Sequence, residues 1–303
     1  MLDINPLVSI CCISYNQEKY IGQCLEGFLK QKTNFEFEIL VFDDASNDST
    51  QDIIKEYVSK QTNIKTFLQT ENQWSKGKYG LLELLSAAST SKYIAICEGD
   101  DYWTDPLKLQ KQVDFLETNP EFAMTFHKVK IYNEIEHKFE EDTINDLTKE
   151  DTNLQDLLRG NYIRTVSAVI RNTSQLASLI DKIKTATPGD WLLFIIIAST
   201  GKIKYMNQEM AVYRISYSGV WSTIDNKQRK YHKELLNGYE FLYKFLKKDD
   251  YAIVYHSHMH YIGLAAIINK ENKKFARFIA YKILLYYRIL KFRYFGGSKY
   301  LTE

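Results

Sequence analysis

LVSICCI, Leu7 to Ile13, is an unbroken apolar run of small and β-branched residues. A strand with one wet face alternates apolar and polar side chains, so an unbroken run suits a strand covered on both faces. The period then changes. Ile21, Cys24, Leu25, Phe28 and Leu29 fall at i, i+3, i+4, i+7 and i+8, one apolar stripe along a helix. FEILVF, Phe37 to Phe42, repeats the buried-strand pattern, and a turn rich in Asp, Ser and Asn follows it, DDASNDST. Ile53, Ile54, Tyr57 and Val58 then share one helix face. IKTFL (Ile64 to Leu68), a helix around Leu81 to Ala88, and YIAIC (Tyr93 to Cys97) continue the alternation. Such a β-α-β-α-β-α-β series predicts an α/β fold: a mostly parallel, Rossmann-like sheet with helices on both faces.

Further along, Asp105 before Pro106 reads as an N-cap with proline at the first helical position. Leu109, Val113 and Leu116 mark the buried face of that helix, which ends near Asn119-Pro120. Ala123 to Tyr132 reads as a strand, and the acidic, poorly periodic stretch from Glu134 to Asp151 as an exposed loop. Thr165 to Arg171 is strand-like, Gln175 to Lys184 helical, Trp191 to Ala198 an apolar helix, and Met210 to Ile215 a last strand. Beyond Asp225 the pattern is helical throughout, so the expected domains are 1–224 and a helical extension, 225–303.

The 303 residues carry a formal net charge of +1, but unevenly. From Asp225 onward there are 16 Lys/Arg against 7 Asp/Glu, a net of +9, which leaves −8 on the first 224 residues. The last quarter therefore favours anionic surfaces. MLDINPLVSI has an acid at Asp3 and no basic n-region, so it does not read as a signal peptide. No stretch reaches the roughly 18 apolar residues of a membrane span. Cys11, Cys12, Cys24 and Cys97 lie in apolar contexts without C-x-x-C spacing, which suits reduced thiols in a cytoplasmic protein.

In an open parallel sheet, ligands bind at the carboxyl ends of the strands. Three polar clusters fall there: Ser14-Tyr15-Asn16, Asp43-Asp44, and Glu98 to Asp101. Asn and Asp also favour plain turns, which is the alternative for each cluster taken singly. CEGDDYW, Cys97 to Trp103, sharpens the question, because three acids in four positions raise the cost of ionising one another unless a cation or a partner compensates them.

VSICCISYNQEKYIGQCLEGFLKQ, FEILVFDDASNDST and YIAICEGDDYWTDPLKLQKQ together resemble a family 2 glycosyltransferase with the nucleotide-binding type A (GT-A) fold. The match is close over about the first 120 residues and returns in TPGDW and YRISYSGVWS, up to Ser222. The resemblance implies a catalytic domain over 1–224 that binds a nucleotide-sugar donor. It gives Asp44 the donor's base and stacks Tyr15 against it, with Ser14 beside them. Asp100-Asp101 becomes the D-x-D-type element, Asp101 holding Mg²⁺ or Mn²⁺ and Asp100 touching ribose, sugar or metal. Oxygen ligands are what such hard cations prefer. Asp190 falls where the family keeps its catalytic base, although a simple N-cap is the other reading. Tyr213-Arg214 through Trp221-Ser222 resembles the segment that closes over the diphosphate, which puts Arg214 and Trp221 among the donor-binding residues. Lys78, with Lys76 across Gly77, lies where relatives contact base or phosphates, with surface solvation as the alternative. One departure stands out: many relatives carry a His where this chain has Ser216, which leaves a third protein ligand to the metal in question.

The implied reaction is an inverting transfer, from a nucleotide-sugar that we expect to be a UDP-sugar, to a hydroxyl of a glycan or lipid-linked acceptor in bacterial surface polysaccharide synthesis. Trp103, the His127 region and the C-terminal helices are expected on the acceptor side. A nucleotidyltransferase of similar fold and an inactive glycan-binding module are the alternatives. SYNQEKY lacks the Gly-rich loop of the first, and retention of Asp101 and Asp190 argues against the second. His256 and His260 share a helix face without an acid or Cys, so an ordinary helix surface is expected there. Asn272 to Lys299, with eight Lys/Arg and no acids, reads either as a packing element or as a contact with the anionic inner membrane leaflet. Nucleic-acid binding is not expected, since these basic residues sit in an apolar helical pattern rather than a groove-reading motif.

Overall fold

The computed structural model describes residues 5–88, 90–142, 149–157, 160–173, 176 and 190–216. The chain divides into two units, Met1–Thr223 and Ile224–Glu303, and every described residue lies in the first. The expected helix at 175–184 apart from residue 176, Trp221, the histidine group and the helical extension lie outside the described residues.

The unbroken apolar runs form the centre of one ten-stranded sheet. β1 (Val8–Ser14) lies between β2 (Phe37–Asp43) and β4 (Tyr93–Glu98), parallel to both, and β3 (Ile64–Leu68) is parallel to β2 on the outside. Val8, Ile10, Cys11 and Cys12 are all fully buried, which is why β1 shows no polar alternation. Each buried aliphatic side chain contributes about 1.5–3 kcal/mol. Between the strands run α1 (Ile21–Leu29), α2 (Thr50–Lys60) and α3 (Gly80–Ala87). α1 buries Ile21, Cys24, Leu25 and Phe28, the stripe that the spacing predicts. The four cysteines are free and buried, with the Cys24 sulfur 3.9 Å from that of Cys12 and 4.0 Å from that of Cys97.

The remaining strands enlarge the sheet. β5 (Tyr102–Trp103) precedes α4 (Lys108–Thr118), and β6 (Phe122–Asn133) follows it. β6 runs parallel to the long β10 (Lys202–Ile215), and the short β9 (Val169–Arg171) joins β4 to β6, antiparallel to each. The sheet order is therefore β3-β2-β1-β4-β9-β6-β10-β5.

Four expectations need correction. The acidic stretch after Glu134 is not wholly loop: Lys138–Glu141 forms β7 against β6, and Asp151–Thr152 forms β8 against β10. Backbone pairing with a strand already in place outweighs their weak side-chain pattern. β9 is shorter than predicted, because Thr165–Ser167 is a 3₁₀ turn. β10 starts eight residues before Met210, where polar side chains hide a strand broken by a register shift between Met206 and Ala211. α4 begins two residues after Pro106, and Asp105 accepts from the Leu107 N–H at 2.8 Å in the preceding turn. Beyond these come α5 (Leu154–Leu157) and α6 (Asp190–Ala198), whose residues from Trp191 on are all buried.

Gly27 fixes the approach of α1 to β5. A Cβ there would lie 2.9 Å from both the N and the O of Trp103, backbone atoms that cannot swing aside. Gly27→Ala gains at most about 1 kcal/mol of helix propensity. Overpacking costs about 1–3 kcal/mol, so the net effect is destabilising. A fall in the urea midpoint with an unchanged slope is the expected result.

Candidate functional site

The topology reverses at β1. The chain builds outward through β2 and β3, then crosses back to lay β4 on the other side of β1. Such a switch point opens a crevice at the strands' carboxyl ends. The parallel register pairs Ser14 with Asp43 and Ile13 with Glu98, so the three polar clusters share one rim.

The rim is built from its interior outward. Asp43 is fully buried and accepts from Ser14 Oγ at 3.0 Å, the Ser46 N–H at 2.9 Å, Gln51 Nε2 at 2.7 Å, and the Ser46 hydroxyl. It is a structural tie. Asn16 and Ala45 adopt positive φ values of 54° and 61°, the left-handed conformation that turns the chain off the ends of β1 and β2. Asn16 also ties these turns together, its side-chain oxygen accepting from the Asn47 N–H at 2.8 Å. Between them Tyr15 stands out of the rim, 44% exposed, with an apolar ring face open to a stacking partner.

Asp44 is buried too, and both its oxygens are engaged. Oδ1 accepts from the Gln73 N–H at 2.6 Å and Oδ2 from the Trp74 N–H at 3.1 Å. Each oxygen keeps a further lone pair. The carboxylate thus anchors the turn that carries Lys76 and Lys78. Lys76 pairs with Glu71, while Lys78 is exposed.

The acids after β4 are the electrostatic centre. Glu98 is reached by solvent from the rim yet ringed by protein, and burial, with Asp100 and Asp190 beside it, pushes its carboxyl up to about 8. Burial raises Asp100, and raises Asp101 well above the carboxylate range, with Asp100 and Glu98 adding to the latter. Asp101 Oδ1 accepts from the Arg214 N–H at 2.7 Å. The second oxygen, Asp101 Oδ2, is buried without a donor, and so is Asp100 Oδ1. Two unpartnered carboxylate oxygens side by side in sequence are a donor set that fits a hard divalent cation. Among the described residues no three His, Cys, Asp or Glu converge as a complete cage. Mg²⁺ in particular binds through one or two carboxylates, keeping waters and phosphate oxygens for its other positions, so a partial set is what it needs. Ser216 is buried, 2% exposed.

Asp190 opens α6 close to this cluster, near enough for its charge to raise Glu98. Its Oδ2 accepts from Thr165 Oγ1 at 3.0 Å and Asn161 Nδ2 at 3.3 Å, and its Oδ1 from the Trp191 N–H at 2.7 Å. Those bonds fix the carboxylate. Burial raises its pKa, the direction that suits a proton acceptor working near neutrality. Arg164, held bidentately by Asp142 at 3.2 Å, lies over the Tyr213 ring at 4.7 Å. Tyr213 is itself raised by burial and by Glu98 and Asp101, so it belongs to the same cluster.

The structure therefore gathers Ser14, Tyr15, Asp44, Asp100, Asp101, Asp190 and Arg214 on one rim. Trp103 and His127 are not on it. Trp103 is 4% exposed with its Nε1–H on the Val166 carbonyl at 3.1 Å, and His127 is fully buried, so neither is open to an acceptor. Glu98 and Tyr213 fell within the expected rim cluster and closing segment, but neither was given a role of its own there. Strand alternation could have found Glu98, since it places Cys97 in the core and Glu98 on the open side.

The family 2 glycosyl transferase pattern matches residues 9–174, more than half of the chain. The chain belongs to glycosyl transferase family 2. An uncharacterized protein of Mycobacterium tuberculosis is 38% identical over 225 residues, covering 74% of this chain and 63% of that protein. The chain thus spans under two thirds of that relative's length. The Escherichia coli UDP-Glc:alpha-D-GlcNAc-diphosphoundecaprenol beta-1,3-glucosyltransferase WfaP is 34% identical over 116 residues, 38% of this chain and 43% of WfaP. The crystal structure of S. aureus TarS 1-349 in complex with UDP-GlcNAc superposes with a TM-score of 0.58 at 18% identity, covering 97% of this chain and 93% of that one. At that identity the likeness establishes the fold, GT-A, as the sequence motifs imply. Among the described residues no helix is long and apolar enough to cross a membrane.

The raised carboxyls set a pH dependence. Folded Glu98 keeps its proton up to about 8, against about 4.3 in an unfolded chain. The folded state then binds more protons, so this group's stabilisation is complete in acid and lost as pH rises through 8. Lys108 works the other way above neutrality, because burial lowers its ammonium to about 7. The informative quantity is a difference: metal-free Glu98→Gln should gain Tm over wild type progressively from about pH 5 to about pH 8. A constant offset across that range would contradict the assignment.

Proposed function

We propose that the protein is an inverting, metal-dependent glycosyltransferase. It moves a sugar from a UDP-sugar donor to a hydroxyl of a glycan or lipid-linked acceptor, in bacterial surface polysaccharide synthesis. The observation that carries this reading is the rim where two buried, unpartnered carboxylate oxygens of Asp100 and Asp101 sit with Asp190 near Glu98. Family membership supports it, and WfaP, whose name states a UDP-Glc donor and a diphosphoundecaprenol-linked acceptor, supports the donor and acceptor classes.

In this reading Tyr15 stacks on the donor's base, and Ser14 and Asp44 shape the pocket around it. Asp44 keeps lone pairs for base N–H groups while anchoring residues 73 and 74. Lys78 is exposed on that turn, and the sequence motif assigns Trp221, outside the described residues, to the donor as well. Asp101 and Asp100 hold Mg²⁺ or Mn²⁺, which when bound offsets the charge developing on the nucleoside diphosphate. Asp190 takes the acceptor hydroxyl's proton as that oxygen attacks the anomeric carbon from the face opposite the diphosphate. One bond forms, the bond to the diphosphate oxygen breaks, and the configuration inverts. Thr165, Asn161 and the Trp191 N–H orient the base for that task. Work at the cytoplasmic face of the membrane fits the basic stretch from Asn272 to Lys299.

Asp190→Asn should lower the transfer rate by about 10²–10⁴-fold while leaving donor binding intact. The donor class is read by thermal shift with UDP, GDP, CDP and TDP, with and without Mn²⁺. A metal-dependent rise with UDP, absent in Asp101→Ala, is expected. Unchanged transfer by Asp190→Asn would defeat the mechanism, and a silent thermal shift with every nucleotide would favour a glycan-binding module. Liposomes with anionic lipid should float the full chain at low salt and release it at high salt; recovery in the soluble fraction at low salt would defeat the membrane contact.

A further inference from the structure

Arg214 stands near the end of β10, one strand in from the sheet edge, but its side chain runs back over the acid loop. Its backbone N–H meets Asp101 Oδ1 at 2.7 Å, and its Nε donates to the carbonyl of Asp100 at 2.8 Å. Nη2 reaches across to Gln23 Oε1 on α1, also at 2.8 Å. The guanidinium lies over three tyrosine rings, 4.6 Å from the centre of Tyr20, 5.4 Å from Tyr102 and 5.6 Å from Tyr132. Tyr20 is itself held by Glu134, which accepts from its hydroxyl at 2.5 Å. One residue thus ties α1, β5, β6 and β10 to both acids of the loop.

These contacts engage the Nε–Nη2 edge of the guanidinium, two of its five N–H donors, on the protein itself. Arg grips phosphate through a planar fork of N–H donors. Here Nε and Nη2 already donate to the protein, and the ring faces fix the guanidinium plane. The backbone N–H on Asp101 Oδ1 decides which oxygen of that carboxylate is spare, Oδ2, and survives any change of side chain. The side chain's own share is the hold of Nε on the Asp100 carbonyl, which seats the acid loop against β10. From this geometry we infer that Arg214 is a positioning residue that presents Asp100 and Asp101 to the metal, rather than a ligand of the donor's phosphates. The inference rests on the reading of those two acids as the metal-binding pair.

The test compares the full chain with Arg214→Ala and Arg214→Lys by calorimetric titration of uridine and UDP, in EDTA and in Mn²⁺. In EDTA, UDP should bind Arg214→Ala within about twofold of wild type, since no phosphate contact is lost. The tightening of UDP by Mn²⁺ should shrink by at least about tenfold, near 1.4 kcal/mol. Arg214→Lys keeps the charge over the rings but not the fork, and should fall between. A loss of UDP affinity in EDTA with uridine unaffected would mark a phosphate ligand and overturn the inference. So would an undiminished effect of Mn²⁺. If the wild type binds no UDP in either condition, the proposed function fails, and the positioning role is read on the free protein. Amide exchange at Gly99 and Asp101, whose N–H groups bond to Ile13 and Glu98, should then quicken about tenfold in Arg214→Ala and less in Arg214→Lys. Equal exchange in all three overturns it. Should the alanine variant not fold, the lysine variant carries both measurements.

Discussion

Carboxylates at positions 98, 100 and 101 cannot all ionise in a half-buried rim without compensation. Each desolvated negative charge makes the next more costly, and the pKa directions of all three record that cost. Much of the surrounding structure answers this one constraint. The backbone N–H and the guanidinium of Arg214 supply positive polarity from one side. Tyr213 stays protonated among the acids, and Arg164 faces its ring from the Asp142 side. What remains is a local excess of negative charge with two open oxygens, an arrangement that costs stability unless something cationic uses it.

The neighbouring acid pair shows the opposite solution. Asp43 and Asp44 are as crowded as Asp100 and Asp101, but four donors converge on Asp43 and two backbone N–H groups on Asp44. Buried charge of that kind is tolerable because its lone pairs are matched. Similar dipeptides thus do different work. Asp43-Asp44 knits the turns after β1, β2 and β3 into a rigid wall, while Asp100-Asp101 keeps oxygens in reserve. Only the count of donors around each oxygen distinguishes them.

The first hundred residues were legible because two signals coincide there. Strands buried on both faces have no polar positions, and the helices between them carry narrow stripes, so the period alone separates the elements. The rim followed from topology, since strand ends in a parallel sheet gather on one side. Later elements were harder, for reasons visible in single residues. β7 carries Lys138, Glu140 and Glu141, and its pairing with β6 is made by backbone bonds that side-chain patterns do not report. The buried face of α4 is wider than Leu109, Val113 and Leu116, because the polar Lys108 and Gln112 are fully buried too, the Lys108 ammonium 4.0 Å over the Trp103 ring and Gln112 bonded to Thr125 and the Ser167 carbonyl. Trp103 and His127 failed as acceptor residues for the same reason: an aromatic or imidazole near an acid motif serves the core as readily as a ligand.

The register of the three central strands also bears on how this sequence tolerates length change. Neighbouring residues on a strand face opposite sides, so gaining or losing one residue inside β1, β2 or β4 exchanges the two faces along the rest of the strand. Asp43 would leave its four donors, Cys97 would turn to the rim, and Glu98 would enter the core. The exposed turn around Gly77, which the Asp44 carboxylate anchors from one side only, has no such alternation to protect. Lengthening it changes loop entropy slowly. The spans of β1, β2 and β4 should therefore keep their lengths in descendants of this chain, while the turn is held to its length only by the placing of Lys78.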